Sequence, residues 1–450
     1  MTRVLIPSGA LGLGYDKAAL ERGIAAGPDI IAIDGGSTDS GPYYLGTGTS
    51  KYSRTSTKLE WQGLMEARRK AGVPLVIGTA GTCGADSAVD WLLEITKEIA
   101  AETGESLKIA LLKCGKDAAD LVTAFQENRL SPLEAAPEIS ADIIAGCTNI
   151  VALAGAEQIL IALNTGADIV IAGRTTDTAI ISALPIARGE DVGAAWHGAK
   201  VGECGALCAT DPQTGVVLID FDKSGFTVTP MAASSKATPE TVSAHMLYEN
   251  SDPFILYEPG GYLDVSEAKY TAVDDHSVRV TGSKWVPDER YCVKLEGAMV
   301  AGYRVVSLAL LRDPRYVENA ENWCADIIQK CRSKVANRLG LNPEDFEIEL
   351  RIIGKNATLG TLEPSNTQAP ELGVLGIVTA QTEALAMEIA KMLNPYLLHH
   401  PLTPEEEQPT FAFPFSPPEM NIHKLYVFCM HHVLQLADPM EAFRLEVVEV

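Results

Sequence analysis

The chain has 450 residues, a formal net charge of -23, 46% hydrophobic residues and 21% charged residues. This is a globular composition with length for two or three domains and a large core, and its acidity argues against non-specific nucleic-acid binding. Nine scattered cysteines form no disulfide framework and point to a reducing, cytoplasmic setting.

Met1 runs almost directly into an apolar strand, with no signal-peptide pattern before it. The first half then repeats one unit: a short apolar strand, a loop of small residues, an amphipathic helix. Strands read at 3–7, 30–34, 75–78, 108–113, 150–154 and 168–172, and helices at 16–26, 61–71 and 86–102. The apolar region 143–173 is broken by Glu157 and Asp168 and does not read as a membrane span. Strand–helix alternation predicts an α/β fold with a doubly wound, mostly parallel sheet. Right-handed crossovers would bring the loops 8–14, 34–48, 79–86 and 173–178 to one edge, where open α/β sheets bind ligands.

The texture changes after about residue 195, and the expected division is an α/β domain over 1–205 and an α+β domain over 206–450. Hairpins read at 216–221 with 226–229 and at 270–273 with 277–281. From 305 onward the pattern is strand, helix (317–339), strands (346–353, 373–379), helix (383–392) and a last strand near 425–429. That order is the split βαβ, or ferredoxin-like, pattern. Exposed loops are expected at 361–370 and 401–418.

The stretch 29–51 organises the chemistry. Gly35 and Gly36 follow a buried strand and allow close approach to a ligand, while Asp34 and Asp39 sit among Ser37, Thr38 and Ser40. Asp34 and Asp39 are candidates for acid/base work or for Mg²⁺, which takes one or two carboxylates plus water. Gly9, Gly12 and Gly14 open a helix, so their amides are a candidate anion site. Their G-x-x-G-x-G spacing is not the dinucleotide motif, and there is no Walker lysine, so NAD and ATP find no support. Cys83 lies just before a helix, where the dipole favours a thiolate nucleophile. Arg174 and Thr175 follow a strand and could hold a carboxylate or phosphate, with Asp177 as base, metal ligand or helix cap. His197 and Glu203 are possible acid/base groups. Cys204 and Cys208 alone cannot build a zinc site, and no second Cys or His pair has the spacing for one.

The block Gly166-Ala167-Asp168-Ile169-Val170-Ile171-Ala172-Gly173-Arg174-Thr175-Thr176-Asp177, followed by Gly202-Glu203-Cys204-Gly205-Ala206, resembles the acyclic terpene utilisation protein family. The later runs Leu263-Asp264-Val265-Ser266 and Val278-Arg279-Val280-Thr281-Gly282 are similar to it too. The resemblance implies a bacterial catabolic protein of a pathway working on acyl-CoA thioesters of branched acids, with a small companion chain.

The leading expectation is a lyase of hydratase/dehydratase kind acting on a small anionic carboxylate or its CoA thioester. Arg174 would anchor the anion with the glycine turn assisting, and Asp34, Asp39 or Asp177 would be the base or hold a metal. A hydrolase using Cys83 and a non-catalytic binding or scaffold subunit are the alternatives. A homo-oligomer is expected, with no membrane and no nucleic-acid partner.

Overall fold

The computed structural model describes residues 1–365 and 369–450. It divides into two units, one formed by residues 1–299 and 428–450, the other by 300–427. The boundary expected at 205/206 therefore falls inside the first unit. The reason is pairing: the hairpin strands after it hydrogen-bond onto the first strand of the chain.

The first unit runs β1 (Thr2–Ile6), α1 (Lys17–Ala25), β2 (Ile30–Asp34), α2 (Pro42–Thr47), α3 (Arg54–Ala71), β3 (Leu75–Gly78), α4 (Asp86–Thr103), β4 (Lys108–Lys113), α5 (Ala118–Gln126), β5 (Leu130–Pro132), α6 (Ala141–Ala145), β6 (Cys147–Ala152), α7 (Ala156–Leu163), β7 (Ile169–Ala172), α8 (Ala179–Ala187) and α9 (Val192–Gly202). It continues through β8 (Val217–Asp222), β9 (Gly225–Pro230), α10 (Pro239–Ala244), β10 (Ile255–Glu258), β11 (Gly261–Asp264), β12 (Lys269–Ala272), β13 (Val278–Thr281) and β14 (Lys284–Pro287) into β15 (Cys292–Leu311).

The main sheet is mixed. β1, β2, β3, β7 and β4 are mutually parallel neighbours, with Val4 opposite Ile30, Ile31 opposite Leu75, and Ile169 opposite both Leu75 and Ile109. These strands are buried on both faces and read as continuous apolar runs. β8, β9, β13 and β12 extend one side antiparallel, and a final strand, Arg444–Glu449, pairs antiparallel with β4 on the other. The strand expected at 150–154 is outside this sheet: β6 pairs antiparallel with the first half of β15. Helices cover both faces. Trp61 and Leu64 of α3 and Val89, Leu92 and Ile95 of α4 pack with Leu5, Ile33 and Ile77. On the other face Ile159, Ile180 and Trp196 pack with Val4, Ile6 and Ala32. Each such buried side chain contributes roughly 1.5–3 kcal/mol of transfer free energy. Caps fix the helix ends: Asp16 accepts from the Ala19 amide, and Gly72 and Gly104 end α3 and α4 in left-handed conformation. α3 starts earlier than its expected residue 61 because Ser53 caps it.

The second unit has the order β15 (second half), α11 (Pro314–Glu318), α12 (Ala320–Leu339), β16 (Phe346–Ile353), β17 (Leu372–Ala380), α13 (Glu383–His399) and the start of β18 (Met420–Gln435), and the closing strand of the chain is β19 (Arg444–Glu449). β17 lies antiparallel between β15 and β16. Trp323, Ile327, Ile389 and Leu393 close its core. Of the expected loop 361–370, residues 366–368 lie outside the described residues.

Candidate active-site cleft

The in-register parallel strands end together, and their loops open into a cleft of about 460 Å³. Ser8, Gly9 and Gly14 come from the loop after β1, Asp34, Gly36 and Ser40 from that after β2, Thr82 from that after β3 and Asp177 from that after β7. Lys51, Tyr52, Cys204, Tyr248 and Glu249 complete the wall. A larger cavity of about 710 Å³ includes Arg129, Glu258 and Lys294, but Arg129 is paired with Glu441 and Lys294 with Glu296. The strand-end cleft is lined by Asp34 and Asp177, two carboxyls that burial pushes above their usual range.

Glycine permits the close packing behind this cleft. A Cβ on Gly35 would lie 2.4 Å from the Thr79 carbonyl oxygen, and one on Gly12, at φ +112°, would lie 2.5 Å from the Tyr52 ring. The next loop carries real strain: Thr79 and Thr82 have φ of 44° and 78°, a region that β-branched residues avoid.

Asp34 is buried. Its Oδ2 accepts from the Gly36 amide at 2.9 Å, while Oδ1 has no hydrogen-bond partner among the described residues. Burial, then the charge of Asp177, pushes its carboxyl well above the usual range, against Arg174. Asp177 keeps 29% of its side chain exposed, and burial of its carboxyl raises it to about 6 despite Arg174 and Lys200. Glu203 is pushed up to about 8 by burial even though Lys200 Nζ lies 2.5 Å from its Oε1; Lys200 is in turn held above its ordinary value by Glu203, so it stays cationic. Glu258 is raised to about 7 by burial and takes a hydrogen bond from Thr178.

Several of the expected site residues are engaged by or buried among groups of their own chain. Arg174 is 7% exposed and engages a carboxylate of its own chain: Nε donates to Glu296 Oε2 at 3.0 Å and Nη2 to Oε1 at 3.4 Å. It also donates to Thr79 and to the Thr175 carbonyl. Thr175 is fully buried behind β3. The glycine turn is likewise filled internally. The Gly12 amide donates to Glu60 Oε2 at 2.8 Å, with Gly14 at 3.4 Å, and Gly9 packs against the Cys204 backbone. Cys83 is fully buried in an apolar cluster with Leu45, Ala88 and Val151, and burial pushes its thiol up, overriding the helix-terminus effect. His197 is fully buried between Ser283 and Tyr270, and burial drops it to about 3, which favours the neutral ring. Asp39 is exposed on a short turn.

Asp34 and Asp39 belong to no cluster of three or more metal donors among the described residues. Among the described residues, Glu203, Cys204 and His245 bring ligand atoms within 4.8 Å of one another. Cys208 is not part of this group; it is buried and bonds to Gly205. His245, Glu60, Glu258 and Glu296 were not visible as site residues in the sequence. Each reaches its partners from a distant segment, and no local spacing marks it.

No curated protein and no solved structure matches this chain. A family model for the acyclic terpene utilisation family protein AtuA matches residues 48–409, a span that includes Thr82, Asp177, Glu203, Cys204 and His245 and begins after the loops of β1 and β2. With most of its length matched, the chain belongs to the AtuA acyclic terpene utilisation family.

Proposed function

We propose that this protein is a catabolic enzyme of acyclic terpene utilisation, a lyase of hydratase/dehydratase kind acting on a small carboxylate or its acyl-CoA thioester. The observation that carries this reading is the Asp34–Asp177 pair on the cleft, two carboxyls with raised affinity for protons and one unpartnered oxygen. Such a pair suits proton removal by one member and proton delivery by the other. In the dehydration direction Asp177, the more accessible, takes the proton from the carbon next to the carbonyl. Asp34 gives its proton to the departing hydroxyl, which leaves as water, and the electron pair of the broken C–H bond forms the C=C bond. Hydration is the reverse. Arg174 being occupied, the substrate anion is assigned to Lys51, whose Nζ contacts Ser40 Oγ at 3.1 Å and has no carboxylate partner among the described residues. The burial of Cys83 weighs against the hydrolase alternative.

The test is solvent exchange. The full chain, incubated in D₂O with a panel of 3-hydroxyacyl and enoyl thioesters and the free acids, should place deuterium at the α-carbon of at least one compound, and Asp177→Asn should abolish it. Binding of a compound without exchange or water addition would exclude the lyase reading.

A further inference from the structure

We propose that Glu203, Cys204 and His245 form a zinc site in the wall of the cleft. This goes beyond the lyase reading and does not depend on it. The donors come from two separate parts of the first unit. Glu203 caps the C-terminus of α9 and Cys204 follows it, while His245 begins the short helical turn after α10. Their ligand atoms lie within 4.8 Å of one another, so one ion could reach all three after small side-chain adjustments.

His245 is the observation that points to a ligand. It is 5% exposed, and its Nε2 is buried with no hydrogen-bond partner among the described residues. A polar ring nitrogen placed this way is costly unless something meets it. Its ring lies flat against Tyr248, centroids 5.4 Å apart at 15°, which holds the plane of the imidazole. Lys200 grips Oε1 of Glu203 and orients the carboxylate, as outer partners of metal ligands do.

The donor set selects the metal. A thiolate, an imidazole and a carboxylate suit Zn²⁺, whereas Mg²⁺ and Ca²⁺ take oxygen ligands. Three protein ligands leave one tetrahedral position, the pattern of catalytic rather than structural zinc. Cys204 borders the cleft beside Asp177 and Glu249, so the open position belongs to the side from which a substrate would come. On binding, the Cys204 thiol releases its proton to solvent and the sulfur pair becomes the Zn–S bond.

The test reads metal, not turnover. Full-length protein stripped by a chelator is titrated with Co²⁺, then with Zn²⁺ in competition. The expected result is about one equivalent of metal and a near-ultraviolet thiolate-to-cobalt charge-transfer band that Zn²⁺ abolishes. Cys204→Ser should lose the band while keeping the wild-type melting curve. His245→Ala should weaken Zn²⁺ by more than the roughly 10–100-fold that losing an outer-shell partner costs. A second thiol pair, Cys147 and Cys429 with sulfurs 3.2 Å apart, supplies the control: Cys147→Ser/Cys429→Ser should keep the band. Absence of stoichiometric metal in folded protein, or a band that survives Cys204→Ser and vanishes in the control variant, overturns the site. A failed exchange assay leaves the metal result untouched, and a failed metal titration leaves the exchange assay untouched.

Discussion

Arg174 Nε meets Glu296 Oε2 at 3.0 Å, both side chains being almost fully buried. The pair joins the loop after β7 to β15, and Thr38 adds the loop after β2 by donating to the same carboxylate oxygen at 3.1 Å. Arg174 and Lys294 hold Glu296 down to about 2 against its burial. The folded value lies below the unfolded one, so this contact stabilises the fold above about pH 4.5 and is lost as pH falls toward 2. Glu296→Gln should cost about 3–5 kcal/mol at neutral pH, because it leaves a buried guanidinium uncompensated. The deficit against wild type should shrink in melts run from pH 7 down to pH 3. A deficit independent of pH would mean that the carboxylate's charge is not what matters.

Cys83 should be inert in the folded protein. It has no exposed surface, and burial raises its thiol. Iodoacetamide at neutral pH should leave it unlabelled until denaturant is added, as mass mapping of the cysteines would report. Cys83→Ala should keep the catalytic rate and lose only about 1–2 kcal/mol of stability from the small void. Rapid native labelling of Cys83 would restore the hydrolase reading.

The parallel strands and the meeting of their loops at one cleft were legible because each depends on local pattern: apolar runs, helix caps and short loops. The sites were legible only as residue types. Arg174 and the Gly12 turn read as anchors for a substrate anion, whereas in the fold they hold Glu296 and Glu60 of the same chain. A sequence gives no measure of which acid from a distant segment arrives first. Glu296 in particular lies in the long strand β15, where the neighbouring residues read only as sheet. Cys83 illustrates the same limit in another form. Its helix-terminal position was visible, while Leu45 and Val151, which bury it, come from elsewhere in the chain.

His197 should make the stability of the fold pH-dependent. Its ordinary value is 6.5 and burial lowers it to about 3 in the folded state. The unfolded chain therefore binds the proton first, so stability is full above about 6.5 and falls as pH drops from there toward 3. Between those limits the slope should approach 1.36 kcal/mol per pH unit for this one group. Urea unfolding of His197→Gln at several pH values should show a slope shallower by up to that amount. An unchanged slope would show that His197 does not stay neutral in the fold.

Gly12→Ala should disturb the cleft through Tyr52. At φ +112° any side chain is strained, and the new Cβ would lie 2.5 Å from the Tyr52 ring. Tyr52 lines the cleft and neighbours Lys51, the assigned anion contact. The expected outcome is a loss of about 1–3 kcal/mol in stability together with weaker ligand binding. Lys51→Met should weaken binding of the anionic ligand with little change in melting, since Lys51 is exposed. Calorimetric titration and melting on both variants separate the two effects, and unaltered affinity in Lys51→Met would remove Lys51 as the anchor.

The pH–rate profile tests the role of Asp177 directly. A general base works in its ionised form, so activity should rise through about pH 6, the value to which burial brings Asp177. Asp177→Asn should lower kcat by about 10²–10⁴ and erase that acidic limb. A second variant checks that the limb belongs to Asp177 and not to another carboxylate. Glu249 lines the same cleft, and its negative charge adds to the upward shift. Glu249→Gln removes that charge, which makes the ionised form of Asp177 easier to reach. The limb should then move to lower pH while kcat on the plateau stays within a few-fold. The shift is expected to be modest, because Glu249 ranks below burial, Arg174 and Lys200 among the influences on Asp177. Lowering the salt concentration should enlarge it, since a partly exposed charge acts through solvent and is screened over roughly 8–10 Å at physiological ionic strength. A limb that persists in Asp177→Asn, or that stays fixed in Glu249→Gln at low salt, would assign the titrating base to a different residue.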